Sequence, residues 1–131
     1  MLLGDLKGRK VTVWGLAYKA GTNTLRRSSA VELCEWLYLQ GARVQAHDPA
    51  IRDLSPGLAE KISLSPTPLA SLAGSAALVV ATEWPEFRQV SPESAHGAMG
   101  KPLVIDPSRF LESTLGADPR FIYHTVGKGR P

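Results

Sequence analysis

Residues 76–82 read AALVVAT, an apolar run of strand length with no polar alternation inside it. Such a strand is buried on both faces, which is the situation of a central strand in a parallel sheet covered by helices above and below. Parallel strands need crossover connections, so the rest of the chain should alternate strand with helix. It does. Val11, Val13, Trp14 and Leu16 form an apolar strand, periodicity lapses through Ala20 to Asn23, and a helical pattern restarts after Ser28-Ser29. Ala30, Leu33, Cys34, Leu37 and Tyr38 then mark one buried helical face, which Gly41 ends. Ser29 with Glu32 three residues on predicts a capping box at that helix start.

Arg43 to Asp48 reads as the next strand, closed by Asp48-Pro49. Ala50 to Lys61 is a weak helix interrupted by Ser55-Pro56-Gly57, and residues 62–64 are extended. Pro66 and Pro68 bracket a turn before a short helix at Leu69 to Ala73. A helix from Ser91 to Met99, a strand from Pro102 to Asp106 and a last strand from Phe121 to Val126 complete the pattern. Together these predict a single α/β domain over residues 1–131. Its architecture is a three-layer, Rossmann-like open sheet, mainly parallel, of five or six strands with helices on both faces.

Open α/β sheets bind ligands outside the carboxyl ends of their strands. The loop after the first strand reaches that edge and leads into a helix N-terminus, where unpaired amides and the helix dipole favour an anion. Lys19, Arg26 and Arg27 add cations there, so the expected guest is a phosphate. Thr82, Glu83 and Trp84 leave the central strand at the same edge. Trp84 either stacks on a ligand or covers the sheet, and a tryptophan is more often core or rim. Arg109, after Asp106-Pro107-Ser108, reaches this edge too, either to fork onto an anion or to pair with Glu112 on the surface. Asp48 sits where a dinucleotide fold holds a ribose hydroxyl, but Gly15-Leu16-Ala17-Tyr18 lacks the G-x-G-x-x-G loop that belongs with it. A turn-capping role is therefore preferred for Asp48.

Composition removes several function classes. The net charge is +3 and the pI about 9.2, but twelve acidic residues are mixed among the cations, so no basic stripe for nucleic acid emerges. No apolar run approaches the roughly 20 residues of a membrane span, and residues 1–8 are too short and polar for a secretory signal, so the expected setting is cytoplasmic. Cys34 falls on the apolar helix face and reads as a small buried hydrophobe rather than a nucleophile. His47, His96 and His124 show no metal-ligand spacing, and no metal is expected.

Several segments together resemble one family. They are Gly15-Leu16-Ala17-Tyr18-Lys19 with Thr22, Arg26 and Ser28-Ser29; Gly41-Ala42-x-Val44 and Asp48-Pro49; Ala81-Thr82-Glu83-Trp84 with Glu86-Phe87; and Asp106-Pro107-Ser108-Arg109-Phe110. In order and spacing, from about Gly8 to Gly127, they resemble the C-terminal, UDP-binding domain of the UDP-glucose/GDP-mannose dehydrogenases. Those enzymes oxidise the C6 hydroxyl of a nucleotide sugar to a carboxylate, reducing two NAD⁺ through a cysteine-bound thiohemiacetal and thioester. The resemblance implies that Tyr18 and Lys19 contact a UDP-sugar, that Arg109 contacts the substrate, and that Arg26 reaches the NAD side of the cleft. It further implies that Thr82 to Phe87 line that cleft.

The chain departs from the pattern in the loop, where Thr24 and Arg27 stand in places often held by acidic residues. The family's glycine-rich NAD domain, its central dimerising helix and its cysteine motif have no counterpart here. On that reading this chain has no turnover alone. Its expected partners are a UDP-sugar, the missing domains and a second copy as a possible homo-oligomer. A non-enzymatic nucleotide- or anion-binding or assembly module is the alternative, as is the same domain of a GDP-mannose or UDP-N-acetylmannosamine dehydrogenase. A receiver-like phosphoacceptor domain ranks last, because Thr82 stands where its aspartate should be.

Overall fold

A computed structural model of the chain describes residues 6–17 and 28–125. Six strands form one sheet: β1 (Lys10–Trp14), β2 (Arg43–His47), β3 (Ile62–Leu64), β4 (Ala77–Val80), β5 (Leu103–Ile105) and β6 (Ile122–His124). Their order is β3-β2-β1-β4-β5-β6, and every neighbouring pair is parallel. The expected mainly parallel sheet of five or six strands is thus a wholly parallel one of six. β1 and β4 lie side by side at its centre, where the strand order reverses.

Two apolar clusters sandwich the sheet. On one face Val11, Val13, Val44, Ala46 and Ile62 pack with Cys34 and Leu37 of α1 (Ser29–Leu39) and Leu58 of α2 (Pro56–Ala59). On the other, Trp14, Leu78, Val80 and Val104 pack with Leu72, which follows α3 (Pro68–Ser71), and with Ala95 of α4 (Pro92–Ala98). Consecutive β4 residues therefore feed opposite clusters: Leu78 and Val80 enter the second, Val79 packs on the first. This is why AALVVAT has no polar alternation.

Three local expectations are corrected. The cap of α1 is Ser28, not Ser29: the Ser28 hydroxyl accepts from the Val31 amide at 3.3 Å, and Ser29 is the first helical residue, so the Ser29/Glu32 capping box does not form. Ser28 wins because its hydroxyl also donates to the Leu16 carbonyl at 2.6 Å, tying the helix start to the end of β1. Pro56 does not interrupt a helix but begins one, at a position where its missing N–H has no partner to lose. Tyr38 lies off the buried face of α1 and is 42% exposed.

On the second face the β1–α3 contact is polar. The Trp14 indole Nε1 donates to the Ser71 hydroxyl at 2.9 Å, and the Thr12 hydroxyl donates to the Ser71 carbonyl at 2.6 Å and bonds the Ser75 hydroxyl. These fully buried groups satisfy one another, as buried polar groups must. They seat a helix of a single turn.

Candidate functional site

All six strands point the same way, so the ends of β1, β2, β4 and β5 share the carboxyl edge, and the site is built there. β1 leaves the sheet through Gly15, whose φ of +98° is a conformation that side-chain-bearing residues rarely adopt. Its amide donates to the His47 carbonyl at 2.7 Å. A Cβ at Gly15 would stand 2.3 Å from the Thr82 Cβ, so the exits of β1 and β4 touch here. The Thr82 hydroxyl, buried, donates to the Ala17 carbonyl at 2.9 Å.

Asp48 holds this junction together. It is 1% exposed, and its Oδ2 accepts from the amides of Leu16 at 2.7 Å and Ala17 at 2.9 Å and from the Trp84 indole Nε1 at 3.0 Å. Its Oδ1 accepts from the Ala50 amide at 2.8 Å, closing an Asx turn over Pro49. The turn-capping role expected for Asp48 is therefore present, within a wider arrangement. Trp84 is half-buried, packed on the second cluster and bonded to Asp48. Glu83 is exposed beside it.

This geometry bears on cofactor chemistry. A dinucleotide fold offers the amides after its first strand to the pyrophosphate. Here the Leu16 and Ala17 amides already donate to the chain's own carboxylate, and Asp48 is not free to meet a ribose. The described residues do not fit NAD in this crevice. Other groups must hold any anion bound at this edge.

Arg109 is one such group. It follows β5 with a φ of 59°, the only non-glycine residue with positive φ among the described residues. Its Nη2 pairs with Glu112 Oε2 at 2.9 Å, so the surface pairing weighed from the sequence does form. Its Nε is buried without a hydrogen-bond partner. Below it Asp106, fully buried, accepts on Oδ2 from the Leu111 amide and from the Tyr123 hydroxyl, both at 2.6 Å, while Oδ1 has no partner. Burial, and then this hydrogen bond, raises the Tyr123 phenol well above its ordinary range, so it remains a donor.

Thr82, Glu83, Trp84 and Arg109 thus lie on one edge, whereas Tyr18, Lys19 and Arg26 fall outside the described residues. The roles of Asp106 and Tyr123 were not anticipated from the sequence; the signal for Asp106 is that Asp-Pro follows both β2 and β5. A cavity of about 550 Å³ opens beside the junction, on the β2–β3 side, lined in part by His47, Asp48, Leu64, Ser65 and Glu86. Arg109 does not line it.

Cys34 is buried on the first cluster, its thiol pushed up to about 12 by burial and then by Glu35. A thiol held that high is un-ionised at neutral pH, and the thiolate is the reactive form. Iodoacetamide at pH 8 is expected to label the folded chain at under about 1% of the rate seen in urea. Equal labelling in both states would contradict the packing of α1.

Comparison with known proteins matches residues 12–113 to the UDP binding domain of the UDP-glucose/GDP-mannose dehydrogenase family. A UDP-glucose 6-dehydrogenase of Pseudomonas aeruginosa is 37% identical over 97% of this chain and 29% of its own length. Among solved structures, the UDP-D-ManNAc dehydrogenase of Pyrococcus horikoshii superposes with a TM-score of 0.76 at 27% identity, covering 95% of this chain and 27% of that one. A UDP-glucose dehydrogenase of Pyrobaculum islandicum gives 0.69 at 33% identity, covering 80% and 23%. The chain spans under a third of the length of these relatives.

Proposed function

The chain belongs to the UDP-glucose/GDP-mannose dehydrogenase family, and from that premise we propose that it is the part of such an enzyme that grips the nucleotide end of a UDP-sugar. The observation carrying this is that the match to the family's UDP binding domain spans the ends of β1, β2, β4 and β5, where the chain also presents Arg109 with an unsatisfied Nε. Tyr18 and Lys19 contact the UDP-sugar, Arg109 contacts its phosphates or sugar, and Arg26 reaches the cofactor side. Asp48, Thr82 and Trp84 act by positioning, because their polar atoms are bonded within the protein.

In this reading the whole enzyme oxidises the sugar C6 hydroxyl to a carboxylate with NAD. The NAD site lies mainly on another part of the enzyme, consistent with the blocked crevice here. Cys34 takes no part as a nucleophile, so the chain alone has no turnover. Its free, buried thiol agrees with a reducing, cytoplasmic setting.

Calorimetric titration with UDP, UDP-glucose, GDP-mannose and NAD⁺ tests the reading. UDP is expected to bind at millimolar concentration or tighter and to weaken with salt. NAD⁺ is expected not to bind. Lys19→Ala and Arg109→Ala should each weaken UDP by about tenfold, the loss of one charge-assisted hydrogen bond. Absence of UDP binding, or binding indifferent to both substitutions, would overturn the reading.

A further inference from the structure

We propose that Glu112 is a resident competitor for Arg109, a carboxylate that occupies the guanidinium until an incoming phosphate displaces it; this rests on the reading that Arg109 meets the nucleotide. Three observations lead there.

The first is the backbone. A left-handed conformation disfavours any residue with a side chain by roughly 1 kcal/mol or more, yet Arg109 adopts it, at φ 59°. The surrounding turn imposes it. The Arg109 amide donates to the Asp106 carbonyl at 3.1 Å, and the next anchored amide, that of Leu111, donates to the Asp106 carboxylate. Leu111 itself is fully buried, and the Arg88 guanidinium lies 3.9 Å over the Phe110 ring while its Nε donates to the Phe110 carbonyl. The turn so held places Arg109 partly exposed at the edge, its side chain 39% accessible.

The second is the incompleteness of the ion pair. A guanidinium meets a two-oxygen anion best through two parallel N–H groups. Glu112 pairs with Nη2, and Nε is left buried and without a partner. An unpaired buried donor is destabilising by about 1–3 kcal/mol, so the unliganded site carries an unmet demand that a second oxygen would satisfy. A phosphate supplies it across Nε and Nη2 once the guanidinium, released from Glu112, turns Nε outward.

The third is how easily Glu112 can leave. Its side chain is 57% exposed, it lies three residues from Arg109 on the same turn, and the pair is too exposed to contribute more than a weak interaction. Moving the carboxylate into water requires only a rotamer change. The Asp106–Tyr123 bond and the Leu111 anchor hold the turn while it moves. Glu112 then acts as a filter: an anion that offers a single oxygen gains nothing over the carboxylate already present, whereas a phosphate gains the second bond.

UDP affinity of the chain, measured by calorimetry for the unmodified protein, Glu112→Gln, Glu112→Ala, Arg109→Ala and the Arg109→Ala/Glu112→Gln pair, tests this. Circular dichroism confirms that each variant is folded. Both Glu112 substitutions should tighten UDP binding about threefold, the scale of an exposed ion pair. The gain should vanish when Arg109 is alanine. Glu60→Gln, beside the start of β3 at the opposite edge, controls for net charge and should change binding by less than half as much.

Unchanged or weaker binding in the Glu112 variants, with Arg109→Ala still weakening UDP, overturns the competitor and leaves the proposed function standing. A gain that persists without Arg109, or is matched by Glu60→Gln, also overturns it. Failure of UDP to bind any of the folded proteins overturns the proposed function, and the competitor with it.

Discussion

In urea unfolding, Asp48→Ala is expected to lower the stability of the chain by about 3–5 kcal/mol, a large share of the roughly 5–15 kcal/mol that domains possess. Four donors end on this one carboxylate: the amides of Leu16, Ala17 and Ala50 and the indole of Trp84. With Asp48 1% exposed, water does not reach the site without opening the junction. Removing the acceptor leaves several buried donors unpaired at once, and each such donor is destabilising by about 1–3 kcal/mol. Asp48→Asn can keep its carbonyl oxygen at the Oδ2 position with three donors, but its NH₂ then faces the Ala50 amide, so it should lose less than Asp48→Ala, about 1–3 kcal/mol. Thr82→Ala removes a single neutral bond to the Ala17 carbonyl and should lose only about 1 kcal/mol. If Asp48→Ala lost no more than Thr82→Ala, the junction would be wet and Asp48 a surface cap.

The other large effect belongs to Gly15→Ala. A methyl group there stands 2.3 Å from the Thr82 Cβ and 2.6 Å from the Thr82 backbone nitrogen, on a residue already at φ +98°. The left-handed backbone contributes roughly 1–2 kcal/mol of strain and forced overpacking about 1–3 kcal/mol, so a loss of about 3–5 kcal/mol is expected by the same unfolding measurement. The backbone nitrogen makes the clash inescapable: Thr82→Ala in the same chain should not rescue it. Rescue would mean that the two strand exits are further apart than the structure places them. UDP affinity should fall in parallel, because β1 hands the chain directly to the loop that carries Tyr18 and Lys19.

How far these features were legible depends on the range of the interaction that decides them. The sheet followed from the uninterrupted run at residues 76–82 and the strand–helix alternation around it, since burial on two faces leaves no room for polar residues. The Arg109–Glu112 pair was visible because three residues of separation suffice to state it. The cap of α1 was misplaced by one residue because Ser28 and Ser29 are locally equivalent. The Leu16 carbonyl that decides between them lies 12 residues away, just beyond the end of β1. Pro56 read as a break because proline ends one helix and begins another with the same local signature. Asp48 reads as a turn cap, but its bonds to Leu16, Ala17 and Trp84 depend on β1, β2 and β4 lying side by side, as the Asp106–Tyr123 bond depends on the pairing of β5 with β6. Tyr18, Lys19 and Arg26 remain expectations founded on the family, outside the described residues.

The Asp48 junction also constrains the order in which the chain acquires structure. Three of its four donors lie 32, 31 and 36 residues away, on both sides in sequence, and only the Ala50 amide is reached by a local turn. Closing loops of that length is entropically unfavourable until the strands between them have paired. The carboxylate therefore finds its donors only after β1 has been flanked by β2 on one side and β4 on the other. Once found, those buried bonds should slow exchange of the Leu16 and Ala17 amides with solvent. The strand exits at the carboxyl edge are thus completed only after the central strands that carry them have paired.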